Sequence, residues 1–288
     1  MLQSAMPGQI RRFESVYVAC LGLLLASLIM HTPAYAASRS YTLAVVPQFT
    51  PLKIHRNWIP FLKKLSANIG VDIDLKVYPN FKQFLADVRQ GKPDFVFLAP
   101  FHAVMAKEEQ GYMPIVRDES HKLVGILVVR KDSPYHSLQD IQNKKISFPS
   151  PTAFAASVYM RAYLTEKEKI HYQPRYVGTH DNVYRHVLLG ITAAGGGVNN
   201  TLERQPESLK KKLRVLYRLP GVASHPISAH PRVPEDIRKK IVSAIQQMYN
   251  SDKGRKLLRA VQLQHPVPAN YKKDYEFLES LQLEKYMQ

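Results

Sequence analysis

The segment Phe148-Pro149-Ser150-Pro151-Thr152-Ala153 sets two small hydroxyl side chains where a strand-like run ends and the helix-like run Phe154-Ala155-Ala156-Ser157 begins. Unpaired amide N–H groups and the helix dipole make such a start a ready anion site, to which Ser150 and Thr152 can add side-chain donors. Plain capping is open to the same residues, with Ser150 as N-cap and Pro151 as first helical residue. Gly178-Thr179-His180-Asp181-Asn182 repeats the arrangement one strand later, with Thr179 as cap and His180 in the first turn. An imidazole there can donate to an oxyanion, more strongly when protonated, or serve as a structural histidine. The glycines of Ala193-Ala194-Gly195-Gly196-Gly197-Val198-Asn199-Asn200 read as a loop into a helix. That loop either allows close approach to a ligand or makes a tight turn; no Gly-Lys-Ser/Thr follows, so it is not a nucleotide phosphate loop.

These residues need a frame that gathers them. Strand-like and helix-like runs alternate from Tyr41 onward, the pattern of parallel sheets with crossover helices. Tyr41 to Val46, Asp74 to Tyr78 and Asp94 to Ala99 read as strands, separated by helices Arg56 to Ile69 and Phe81 to Gln90; a helix over Phe101 to Gln110 follows. Leu123 to Arg130 is a continuous apolar strand before a Lys-Asp-Ser-Pro break and is taken as a first crossing between lobes. A second set of the same design has strands at Lys145 to Phe148, Tyr172 to Val177 and Leu213 to Tyr217, with helices at Thr152 to Leu164, His180 to Leu189 and Asn199 to Lys211. Leu219 to Pro234, rich in Pro, His and Ser, is the return crossing, and the remainder reads as helical. In open α/β sheets ligands collect beyond the carboxyl ends of strands. That rule adds Gln48-Phe49-Thr50 and Pro100-Phe101-His102 to the candidate loops, as aromatic walls with a few polar donors or, for Phe49 and Phe101, as core aromatics.

Arg11 and Arg12 precede an uncharged apolar run from Val16 to Met30, followed by Ala34-Tyr35-Ala36, the pattern of an export signal cleaved after Ala36. The run is shorter than the roughly 20 residues that span a bilayer; an uncleaved anchor is the alternative. Cys20, the only cysteine, lies inside this run, so the mature chain relies on its core and on no disulfide. Removing residues 1–36 leaves 38 basic against 22 acidic side chains, a net charge of +16. Such a field favours anionic partners, and export argues against nucleic acid.

An enzyme has little to work with: the sequence holds no Gly-x-Ser-x-Gly elbow, no His-Glu-x-x-His and no mature cysteine nucleophile. An exported hydrolase using Ser150 is the weaker reading. His225 and His230 are flanked by prolines with no carboxylate or cysteine beside them, so no metal is assigned, and no cofactor is expected.

Val45-Val46-Pro47-Gln48-Phe49-Thr50-Pro51, Asp94-Phe95-Val96-Phe97-Leu98-Ala99-Pro100, Phe148-Pro149-Ser150-Pro151-Thr152 and Gly178-Thr179-His180-Asp181 together resemble the periplasmic binding proteins of phosphate, phosphite and phosphonate ABC transporters. The resemblance implies an α/β, periplasmic binding protein-like (type II) fold, two α/β lobes joined by two crossing strands. The expected division is a signal peptide at 1–36, a discontinuous first lobe at 37–129 and 224–288, and a second lobe at 130–223. A monomer is expected, with a small oxyanion as ligand and an ABC transporter permease as partner; a membrane sensor is the alternative partner. The implied ligand contacts are Ser150, Thr152, Ala153 and His180 from the second lobe and Thr50, Phe101 and His102 from the first. Two departures stand out. Pro151 and Ala153 interrupt the run of hydroxyl residues of phosphonate binders, and the acidic residue that pairs with an aminoalkyl group in some members is absent, which argues against an aminoalkylphosphonate.

Overall fold

The computed structural model describes residues 40–287; the expected signal segment lies outside them. The first sheet has strand order β11-β4-β10-β3-β1-β2. Its strands are β1 (Tyr41–Val45), β2 (Ile73–Lys76), β3 (Phe95–Phe97), β4 (Met113–Asp118), β10 (Pro226–Ala229) and β11 (Pro266–Pro268). The second has order β7-β6-β8-β5-β9, built from β5 (Gly125–Arg130), β6 (Lys145–Phe148), β7 (Gln173–Tyr176), β8 (Ala194–Val198) and β9 (Leu213–Arg218). Parallel pairs β1/β2 and β1/β3 form one end of the first sheet, β6/β7 and β6/β8 one end of the second, and antiparallel strands complete each.

Helix α1 (Pro51–Ile69) shows how the chain makes these elements. Pro51 sits at its first turn, Ile54, Trp58, Phe61, Leu62 and Leu65 form the face that packs on the first sheet, and Gly70 ends it at a φ of 73°. Helix α2 (Phe81–Arg89), capped by the Asn80 side chain, and α3 (Pro100–Gln110) follow the next two strands.

Several readings of the sequence change. The ladders of β5 run to β8 and β9, so residues 125–130 belong to the second sheet instead of the first lobe, whose expected bound was 129. The chain crosses just upstream, where Leu123 and Val222 exchange two backbone hydrogen bonds of 2.9 and 3.0 Å. Strand β4 was not expected, and β10 lies within the expected return crossing; Pro114 and Pro226 are accommodated in an irregular ladder whose register shifts at Ile227/Ser228. The helix expected over Asn199 to Lys211 is two short ones, α6 (Asn199–Glu203) and α7 (Glu207–Lys210), broken at Pro206.

The glycine run is a strand, not a loop. Gly195, Gly196 and Gly197 lie in β8, paired to Val128, Leu127 and Ile126. A β-carbon on Gly196 would stand 2.1 Å from the Ala156 carbonyl oxygen, and one on Gly195 2.6 Å from Val183. Two helices press on opposite faces of this strand: α4, spanning 154–167, and α5 (His180–Leu188). The missing side chains let both helix starts sit hard against the sheet that feeds them.

Candidate functional site

The first helix start is α4. It is π-wound over Phe154–Val158 and Tyr163–Lys167 and α-wound over Tyr159–Ala162. Such wider turns recur at functional sites. Pro149 and Pro151 keep the preceding residues extended, so the helix starts after Ala153, later than the sequence suggested, and no side chain caps it. Ser150 Oγ accepts from the Thr152 amide at 3.1 Å and lies 3.0 Å from the Thr152 hydroxyl. Ser150 is therefore not the N-cap; it closes a small turn in front of the cap. Arg161 braces that turn by donating to the Pro151 carbonyl at 2.6 Å.

The second helix start is α5. Thr179 Oγ1 accepts from the Asn182 amide at 3.3 Å, the capping role expected of it. Because β6 and β7 are parallel neighbours, the turns leaving them run side by side, with the Gly178 amide donating to the Pro149 carbonyl at 2.8 Å. His180 Nδ1 is 3.2 Å from Thr201 Oγ1, which also lies 2.9 Å from the Val198 carbonyl oxygen. The Tyr184 hydroxyl lies 2.7 Å from the same Thr201 oxygen, so His180 Nδ1 joins a buried hydroxyl network in either tautomer.

First-lobe residues close on both turns. His102, on α3, donates from Nε2 to the Thr152 carbonyl at 2.8 Å; that oxygen can only accept, so His102 Nδ1 is bare, and it is buried with no partner. Phe101 is fully buried and stacks on Phe154 at 5.8 Å in a cluster that joins the lobes, so it acts as core packing there. Thr50 stands apart: it is exposed, at the start of α1, and caps nothing with its side chain. The structure thus gathers Ser150, Thr152, Ala153, His102 and Phe101 about one turn and His180 about the adjoining one.

A directed chain of buried amides crosses between the lobes. Asn200 Nδ2 donates to Gln262 Oε1, Gln262 Nε2 to Gln48 Oε1 at 3.0 Å, and Gln48 Nε2 to His225 Nε2 at 3.2 Å. The His180 amide meets the Gln48 carbonyl at 3.4 Å. Arg204 in the second lobe donates to the carbonyls of Arg259 and Ala260 at the end of α9 (Asp252–Ala260), and Lys53 lies 3.7 Å from Asp181. These contacts hold the lobes in a closed arrangement.

Burial sets the protonation of the site. Desolvation pushes the pKa of His180 and of His225 down to about 3 and that of His102 down to about 4, so all three are neutral. His225 also feels the fields of His102, His180 and His121, which lower its pKa further. His225 stacks on Phe97 and His230 packs on Tyr112, so these two histidines serve separate environments. Among the described residues, no three His, Cys, Asp or Glu side chains are grouped to hold a metal.

Residues 43–275 match the family described as ABC transporter, phosphonate, periplasmic substrate-binding protein. The chain belongs to this family. The phosphonates-binding periplasmic protein of Escherichia coli (strain K12) is 21% identical over 232 residues, covering 75% of this chain and 68% of the relative. A binding protein component of an ABC phosphonate transporter from Pseudomonas aeruginosa superposes with a TM-score of 0.76 at 15% identity over 87% of both chains. A protein from Prochlorococcus marinus (MIT 9301), solved in complex with methylphosphonate, gives 0.78 at 16% identity, over 87% of this chain and 100% of the other. The two-lobed type II fold is therefore that of the phosphonate-binding family, whose members are periplasmic solute-binding proteins.

Several residues of this region carry little signal in the sequence. Gln262 and Thr201 carry no motif, Asn200 falls in a run that reads as a glycine loop into a helix, and His225, flanked by prolines, reads as part of a rigid crossing strand.

Proposed function

We propose that this protein captures a small phosphonate, phosphite or phosphate between its lobes and delivers it to the membrane permease of an ABC transporter. The ligand would meet the start of α4, with Ser150, Thr152 and the Ala153 turn, and His180 at the start of α5, with His102 and His225 completing the enclosure. The two turns that open these helices leave neighbouring parallel strands side by side, joined by the Gly178 amide on the Pro149 carbonyl at 2.8 Å, and that adjacency carries this reading. A buried dianion needs donors on every side, and helix starts supply them without countercharges that would have to be desolvated.

The same geometry narrows the ligand. The buried carboxylates of the second lobe and hinge already have partners: Asp181 pairs with Lys53 and accepts from Gln205, and Asp118 pairs with His121. Amides and His225 line the route between the lobes, so a ligand without an ammonium group fits best. Proton uptake follows too. His102 Nδ1 presents a lone pair, and a neighbouring anion favours the protonated form of that ring.

A thermal-shift screen against methylphosphonate, phosphite, phosphate, sulfate and 2-aminoethylphosphonate tests the assignment. A true ligand at about 100 times its Kd adds about 2.7 kcal/mol of stability. His180→Ala and Thr152→Val should each weaken the best ligand by about 1–3 kcal/mol, roughly 5- to 150-fold in Kd. Unchanged affinity in both variants would remove the site assignment.

A further inference from the structure

A groove of about 840 Å³ opens between α2 and the turn Pro149 to Thr152, and the side chains of Ser150 and Thr152 belong to its lining. Its size falls in the range of small-molecule sites, roughly 300–1,000 Å³. Phe81, Leu85 and Ala86 form the first-lobe wall, and Pro149, Pro151 and Tyr176 the opposite one. Tyr176 is 41% exposed, a large ring left facing solvent, and the Arg161 guanidinium lies 5.6 Å from its centroid. Lys82 and Arg89 line the same groove; Arg89 is shared with Glu109 at 3.5 Å, and Lys82 enters none of the ion pairs among the described residues.

The opposite direction is shut. Inward from the two helix starts, the Asn200–Gln262–Gln48–His225 chain joins the lobes by direct side-chain hydrogen bonds. A substituent on an anion held at Ser150 and Thr152 therefore extends outward, along the only one of the two directions that has room for it. There it meets an apolar, ring-bearing wall inside a positively charged rim, and that combination suits a flat apolar group attached to an anion.

We infer that this groove is a subsite for the organic substituent of the ligand and selects aryl phosphonates or aryl phosphates over the small headgroups alone. The inference rests on the oxyanion site proposed above and adds the substrate class to it. Phosphoryl oxygens occupy the turn and helix start, and the ring lies between Pro149, Pro151 and Tyr176 on one side and Leu85 and Ala86 on the other.

Calorimetric titration of the purified protein with methylphosphonate and phenylphosphonate tests it. Wild type should bind phenylphosphonate at least about tenfold more tightly, the yield of burying one ring. Ala86→Trp and Gln90→Trp fill the groove from exposed positions outside the anion site. Each should bring the two affinities within about twofold of each other while leaving methylphosphonate within about twofold of wild type; retained methylphosphonate binding shows that the variant is folded. Equal affinities in wild type, or a preference for phenylphosphonate that survives in both Trp variants, would overturn the subsite and leave the oxyanion site standing. Absence of binding for both ligands in wild type would overturn the oxyanion site and this subsite together.

Discussion

Acidifying the ligand-free protein from about pH 7.5 to about pH 5 should open the cleft. His102, His180 and His225 are buried, with folded pKa values pushed down to about 4, 3 and 3 from an ordinary value of 6.5. Between these limits the unfolded or opened chain binds more protons than the closed form, so the stability of the closed form falls as pH falls. At 1.36 kcal/mol per pH unit, each histidine loses about 2 kcal/mol by pH 5, roughly 6 kcal/mol for three. That matches the whole stability of many domains, about 5–15 kcal/mol. The lobes can relieve the shares of His102 and His180 without unfolding, because the contacts of His102 with Thr152 and of His180 with Gln48 cross the cleft. His121 works in the opposite sense: Asp118 at 3.1 Å raises its pKa, so its contribution is full at low pH and is lost as pH rises through that raised value. One such group does not offset three. Small-angle scattering should show a larger radius of gyration at pH 5 than at pH 7.5, reversed by saturating phosphonate, which stabilises the protonated imidazoles. A radius and a urea midpoint that are both constant over this range would refute the reasoning.

Two further outcomes are expected. Gly196→Ala should destabilise the second lobe by about 1–3 kcal/mol or more, since its β-carbon has the Ala156 carbonyl oxygen at 2.1 Å and a Phe148 ring carbon at 2.5 Å; urea unfolding reads this, and a neutral result would mean that α4 does not press on β8. Arg204→Ala removes the guanidinium that donates to the α9 carbonyls across the lobes. It should raise Kd by about 3- to 30-fold, chiefly through faster release, as stopped-flow kinetics would show.

Much of this protein was legible in its sequence because the signals are local. Alternating strand and helix periodicity, the small hydroxyl residues after Phe148 and the Gly-Thr-His start of α5 each depend on residues a few positions apart, and backbone geometry makes those patterns carry meaning. Their spacing was enough to point to two α/β units and to helices that open shortly after Phe148 and at His180. Tertiary structure decided the rest. The run Gly195-Gly196-Gly197 is as compatible with a turn as with a strand until helices arrive on both faces. The Asn200–Gln262–Gln48–His225 chain joins residues up to 214 positions apart, and no local pattern encodes such a contact. Burial, which depends on everything packed around a side chain, is what holds the three histidines neutral, and residues far apart in the chain supply it.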